Sequence, residues 1–94
     1  MIASLHLQIH LPQSQSLKQK RTVIKSLKDR LRNKFNISVA EVGELGKWQL
    51  CDLELVMTSN DQSHLQEQIQ KINDFVDQVL AGDGFVTSRE MSMH

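Results

Sequence analysis

From Ile2 to Leu11 apolar and polar residues alternate. Leu5, Leu7, Ile9 and Leu11 share one face and Ser4, His6, Gln8 and His10 the other, the period-2 pattern of a strand buried on one side. Pro12 to Gln15 is a loop rich in Gln and Ser, and the period then changes. Over residues 16 to 35, SLKQKRTVIKSLKDRLRNKF, the apolar positions Val23, Ile24, Leu27, Leu31 and Phe35, with Leu17 upstream, recur at helical spacing and form one stripe. Ser16 and Gln19 have the form of a capping box at its start. Ile37 to Val42 is a second strand of β-branched character, Gly43 to Lys47 turns the chain back, and Trp48 to Ser59 is a third, long strand. Its Cys51, Leu53, Leu55 and Met57 face is apolar, whereas the other mixes Trp48, Leu50 and Val56 with Asp52 and Glu54. Asn60 or Asp61 caps a second helix running to about Leu80, with Leu65, Ile69, Ile72, Val76 and Val79 spaced 4, 3, 4 and 3. Residues 81–84 stop it, and Phe85 to Met91 is a short last strand.

The order βαββαβ contains two split βαβ units. Right-handed crossovers of this length predict a ferredoxin-like two-layer α+β sandwich: a four-stranded antiparallel sheet in order 4-1-3-2 with both helices on one face. Residues 1–94 are expected to form a single domain, large enough for a modest core without metal or disulfide staples.

Charge changes this picture locally. The chain has eleven Lys and Arg against eleven Asp and Glu, so it offers no global attraction to nucleic acid. Yet eight of the eleven cations fall between Ser16 and Phe35, opposed there only by Asp29, which gives the segment a formal +7. Lys18, Arg21, Lys25, Lys28 and Arg32 are spaced 3, 4, 3 and 4, so they form a second stripe beside the apolar one, running roughly 21 Å at 1.5 Å per residue. Like charges at these spacings oppose the helix by about 0.2–0.5 kcal/mol a pair, and a polyanion laid along the stripe would offset that. The plain alternative is a solvated face, or one balanced by an acidic neighbour. The second helix leans acidic, but Glu67 and Asp74 are expected to point to solvent, leaving the flank near Asp77 to do any balancing. Lys20 falls near the middle of the apolar stripe. It either snorkels past the core at the helix start or is held where helix and loop meet, ready for an anion.

Most enzymatic readings fail on geometry. His6 and His10 share a strand face but lie about 13 Å apart, too far to share a metal, and Cys51 falls on the core face of its own strand. Asp52 and Glu54 could act as acid and base only if buried together. There is no Gly-rich phosphate loop, HExxH or nucleophile elbow. One cysteine excludes an intramolecular disulfide framework and the iron–sulfur and CxxC versions of this fold. Base stacking on strand aromatics, as in RNA-recognition domains, needs a platform that one Trp, three Phe and no Tyr do not supply. The expectation is therefore a protein that is not an enzyme and has no cofactor and no metal. No apolar run approaches the ~18 residues of a membrane span, and the start of the chain is unlike a signal peptide, so a cytoplasmic protein with no membrane partner is expected. A competing surface is the helix-free sheet face, where Trp48, Leu50 and Val56, joined by Ile37 and Val39 depending on which face the second strand turns outward, would form an apolar patch for a subunit interface, with Trp48 as anchor.

Ser16-Leu-Lys-Gln-Lys-Arg21, Phe35-Asn-Ile-Ser-Val-Ala-Glu-Val42, the single Trp48 after the turn and Ser59-Asn-Asp61 together resemble the YlxP-like family of small bacterial proteins. The resemblance covers nearly the whole chain. It implies a ferredoxin-like fold, a bacterial cytoplasmic protein and no assigned activity, and it supplies no catalytic residues to carry over. Genes of the family are often found beside those for translation initiation and ribosome maturation factors, which implies a place near RNA by association. Two expectations follow. The first is a non-enzymatic RNA- or ribosome-associated module that uses Lys18, Lys20, Arg21, Lys25, Lys28 and Arg32 as its nucleic-acid-binding residues. The second is a structural or protein-interaction module, a homodimer through Trp48, Leu50 and Val56.

Overall fold

The alternation and periodicity become six elements in a computed structural model that describes residues 1–94. They are β1 (Ile2–His10), α1 (Leu17–Lys34), β2 (Ser38–Gly43), β3 (Leu50–Thr58), α2 (Gln62–Leu80) and β4 (Phe85–Met93). All pairings are antiparallel and the sheet runs β2-β3-β1-β4, the expected 4-1-3-2 order read from the other edge. β1 and β3 form the centre in continuous register, Leu5 opposite Leu55 and Leu7 opposite Leu53, because both strands carry an unbroken apolar face. Register slips occur only at the edges, between Glu41 and Gly43 of β2 and between Gln8 and Ile9 against β4.

Both helices cover one face of the sheet. Ile24, Leu27 and Leu31 of α1 and Leu65, Ile69, Ile72, Val76 and Leu80 of α2 bury against Leu5, Leu7, Ile9, Leu53 and Leu55. Each fully buried Leu or Ile contributes about 1.5–3 kcal/mol relative to an exposed one. Phe35 and Phe75 meet edge to face at 5.7 Å between centroids and close the interhelix seam. Val39 lies on this inner face, opposite Leu55, and is buried. It is therefore withdrawn from the open-face patch the sequence allowed it. Ile37, ahead of β2, packs half-buried against the core.

Local signals set the helix ends. Ser16 caps α1 by accepting from Gln19 N at 3.0 Å, and the Gln19 side chain returns a bond to the backbone N–H of Gln15, one residue upstream of the usual capping-box target. Asp61 caps α2 through Ser63 N and His64 N. The C-terminal stop uses Gly82 at φ +89°, after which Asp83 N and Gly84 N bond back to Leu80 O.

Candidate nucleic-acid interface on helix α1

The basic stripe occupies the flank of α1 that faces the β2 edge. Arg21, Lys25, Lys28 and Arg32 line a shallow groove of about 330 Å³ there, with Asp29 and Glu41 as its only carboxylates. Lys25 Nζ lies 2.9 Å from Asp29 Oδ2 and Arg32 Nη1 lies 3.6 Å from Asp29 Oδ1, so one carboxylate serves two cations. The Lys25 hydrogen bond holds the Asp29 carboxyl below its usual pKa; desolvation opposes it, and the Lys25, Arg32 and Lys28 charges add to the lowering. Arg32 also donates to the Val39 carbonyl at 2.8 Å, which fixes its guanidinium along the edge of the sheet and occupies a backbone acceptor there. Lys18, Arg21 and Lys28 have no carboxylate within ion-pair distance.

The acidic helix does not balance them. Asp77, the residue expected to do so, turns to β4 and takes Arg89 Nη2 at 2.6 Å, while Arg89 Nη1 bonds Asn73. Glu67 and Asp74 are exposed as expected, Asp74 accepting from Gln70 on its own helix. On the other flank of α1, Arg30 and Lys34 lie over the Phe75 ring at 5.8 and 4.6 Å from its centroid.

Lys20 corrects both expectations held for it. Its side chain neither snorkels outward nor waits for an anion, being 1% exposed, with Nζ 2.9 Å from Glu41 Oε2 and donating to the Glu44 carbonyl at 2.6 Å. Its position on the apolar stripe turns it inward, and a buried lysine is retained only with a partner. Glu41 supplies one because it sits opposite Leu53 on the core face of β2, its Oε2 shut off from solvent. Lys20 thus pins the turn after β2 beneath α1, and the stripe is Lys18, Arg21, Lys25, Lys28 and Arg32 without it. With Lys20 neutralised by Glu41, the exposed surface of α1 keeps a net +6.

The loop before α1 is tied to the same turn. Gln49 Nε2 donates to the carbonyls of Pro12 and Ser14, both at 3.2 Å, and Leu11 N donates to Gln49 O at 2.8 Å. Lys18 therefore stands on a fixed base, beside a cleft of about 430 Å³ shared with Leu11, Gln13, Gln19 and Thr22.

The helix-free sheet face carries two apolar ends around a charged centre. At one end Trp48, 52% exposed, and half-buried Leu50 adjoin His10, whose ring meets the exposed Phe85 edge to face at 5.3 Å. At the other, Val56 sits with Ile2. Between them His6 Nδ1 lies 2.8 Å from Glu54 Oε2 and its Nε2 lies 4.0 Å from Asp52 Oδ1, with Glu90 opposite on β4. Trp48, Leu50 and Val56 are therefore not one continuous patch, since the intervening outward positions of β3 are Asp52 and Glu54. Phe85 was missing from the sequence expectation because the bulge in β4 sets which face its first residue takes. Cys51 is buried, and burial and the neighbouring Glu41 carboxylate push its thiol from 9.0 up to about 12, so it is inert as a nucleophile at neutral pH.

Fold and site together define a ferredoxin-like domain that presents a basic helix and a helix-free sheet face. The chain belongs to the family described as "Protein of unknown function (DUF503)", whose model matches residues 2–86. It is 34% identical over 62 residues to the "Uncharacterized protein YlxP" of Bacillus subtilis (strain 168), an alignment spanning 66% of this chain and 67% of that protein. Among solved structures, it resembles a de novo designed protein with ferredoxin fold (TM-score 0.70, 10% identity, 100% of this chain and 87% of that one). It also resembles the de novo designed protein Foldit4 (TM-score 0.62, 10% identity, 100% and 99% covered). At that identity the two designs bear on the fold alone. No helix is long and apolar enough to cross a membrane.

Proposed function

We propose that this chain is a non-enzymatic module that associates with RNA or with the ribosome by laying the Lys18–Arg32 flank of α1 along a phosphate backbone. The observation that carries the reading is the absence of any carboxylate partner for Lys18, Arg21 and Lys28 while the acids of α2 are engaged elsewhere or face solvent. Unpaired cations on one rigid helix repel one another and are relieved by a polyanion, whose condensed counterions they release. The test is binding to bulk ribosomal RNA and to isolated ribosomal subunits across a salt series, with the Lys18→Glu, Arg21→Glu, Lys25→Glu triple variant alongside. Five phosphate contacts give a log–log salt slope of about −3.5 to −4.5, lost in the variant. Binding indifferent to salt, or equal in the two proteins, removes the reading.

A second reading, a homodimer through the helix-free sheet face, is favoured by the exposed aromatic end at Trp48 and Phe85. Sedimentation of wild type and Trp48→Ala decides it: a concentration-dependent dimer lost in the variant supports it, and a monomer at high micromolar concentration in both ends it.

A further inference from the structure

Helix α1 is basic on both flanks, and its outward crest is not. On the β2 side stand Lys25, Lys28 and Arg32. On the α2 side stand Arg30 and Lys34, held out over Phe75, with Lys71 and Asp74 of α2 facing the same groove and offsetting one another. Between the flanks the exposed crest carries Gln19, Thr22, Ser26 and Asn33, all short or uncharged, and near its centre Asp29, already bonded to Lys25. At 100° per residue, Lys28 and Arg30 lie on opposite sides of that crest, and so do Arg32 and Lys34.

A single flat strand of phosphates would engage one flank and leave the other idle. A helix roughly 10–12 Å across, side chains included, with a low crest and cations on both shoulders, is instead shaped to lie in a groove walled by two phosphate backbones. The aromatic residues agree. Phe35 is buried, Phe75 is covered by Lys34 and Arg30, and Trp48 and Phe85 are away on the helix-free side, so the basic surface has no ring on which unpaired bases could stack. In duplex RNA the accessible groove is the wide, shallow minor one, which displays 2′-hydroxyls suited to the hydroxyl and amide groups of the crest.

We infer that the nucleic acid taken by this helix is double-helical RNA, with α1 lying along the minor groove, Lys25, Lys28 and Arg32 on one strand's phosphates and Arg30 and Lys34 on the other's. The inference rests on the RNA-binding reading above and names the form of RNA.

The test compares a duplex RNA, one of its single strands and a duplex DNA of the same sequence across a salt series. The proteins are wild type, Lys25→Gln/Lys28→Gln and Arg30→Gln/Lys34→Gln. The duplex RNA is expected to bind most tightly, and each double variant is expected to lower the magnitude of its salt slope by about 1.8, two contacts' worth. A duplex-RNA slope unchanged by Arg30→Gln/Lys34→Gln overturns the two-strand placement, as does tighter binding of the single strand, and either leaves RNA binding intact. Equal affinity for duplex DNA overturns the RNA minor groove. Absence of binding to both RNAs removes the underlying reading and this inference with it.

Discussion

Lys20 and Glu41 form an ion pair beneath α1, Nζ to Oε2 at 2.9 Å, in a place where the lysine is 1% exposed. The pair joins the first turn of the helix to the inner face of an edge strand, and through the Glu44 carbonyl it also fixes the turn that leads to Trp48. Removing one member leaves the other charge stranded, which in buried pairs costs about 3–5 kcal/mol, whereas replacing both with apolar groups is often near neutral. Glu41 keeps some access to water, so Lys20→Met is expected to lose about 3 kcal/mol, and Lys20→Met/Glu41→Leu to recover most of it. Urea denaturation of the four members of the cycle checks this. A stable Lys20→Met protein would mean that the pair carries no structural weight.

Cys51 sits beside the same pair, and its thiol is held in the protonated form. Burial is the first cause and the Glu41 charge the second. The raised folded value fixes the direction of the pH effect. In the unfolded chain the thiol ionises near 9.0, in the folded chain near 12, so stability from this group is complete below about pH 9 and is lost as pH rises toward 12. Cys51→Ala is expected to flatten the alkaline limb of the stability curve. The native thiol is expected to resist alkylation at pH 8 and to react fully once the chain is unfolded. Rapid native labelling would contradict the burial.

Gly84 lies where β4 leaves the end of α2, and a Cβ there would collide with the carbonyl oxygen of His10 and with a methyl of Leu11. Because one of these is backbone, relief requires the β1–β4 pairing to shift. Gly84→Ala is expected to destabilise by about 1–3 kcal/mol. Gly46→Ala, with nothing near the added methyl, is expected to stay within about 1 kcal/mol of wild type and serves as the control. Thermal melts of the two proteins separate close packing from a general intolerance of substitution.

The contrast between Leu27 and Lys20 marks how far the sequence carries. Leu27, like Leu5, Leu7, Ile9, Leu53, Leu55, Ile72 and Val76, follows a period, and periods determine which face is buried. The six elements and the strand order follow from that and from the handedness of crossovers. Lys20 obeys the same period, but its charge hides the fact, since its burial depends on a glutamate 21 residues later on another element. Glu41 was equally opaque, because β2 is short and bulged and its alternation does not say which face turns inward until Val39 is placed opposite Leu55. Asp77 illustrates the remaining difficulty. Its helix position was legible, but its choice of Arg89 over the cations of α1 depends on how β4 passes α2. The exposed stripe on α1 was legible throughout because it is contained in one element.

Asp29 is the one acidic residue on α1, and it holds two of the stripe's five cations. If the stripe contacts phosphate, Asp29 competes for Lys25 and Arg32 and repels the ligand itself. Asp29→Asn frees both cations, adds a formal unit of positive charge and keeps the side-chain shape. The variant is expected to bind RNA more tightly, with a salt slope close to that of wild type, because Lys25 and Arg32 are already among the five phosphate contacts. The side chain is about half exposed, 48%, so its ion pairs are solvent-screened and the melting temperature is expected to move little at neutral pH. The lowered carboxyl pKa sets the sign at low pH. Whatever stability these pairs supply is present above the ordinary value of 3.8 and fades as pH falls through the lower folded value, so wild type and Asp29→Asn should converge in acid. Tighter binding by Asp29→Asn alongside weaker binding by the Lys18→Glu, Arg21→Glu, Lys25→Glu protein would tie affinity to the charge of this one flank. An Asp29→Asn protein that binds no better than wild type would mean that Lys25 and Arg32 do not reach the phosphates.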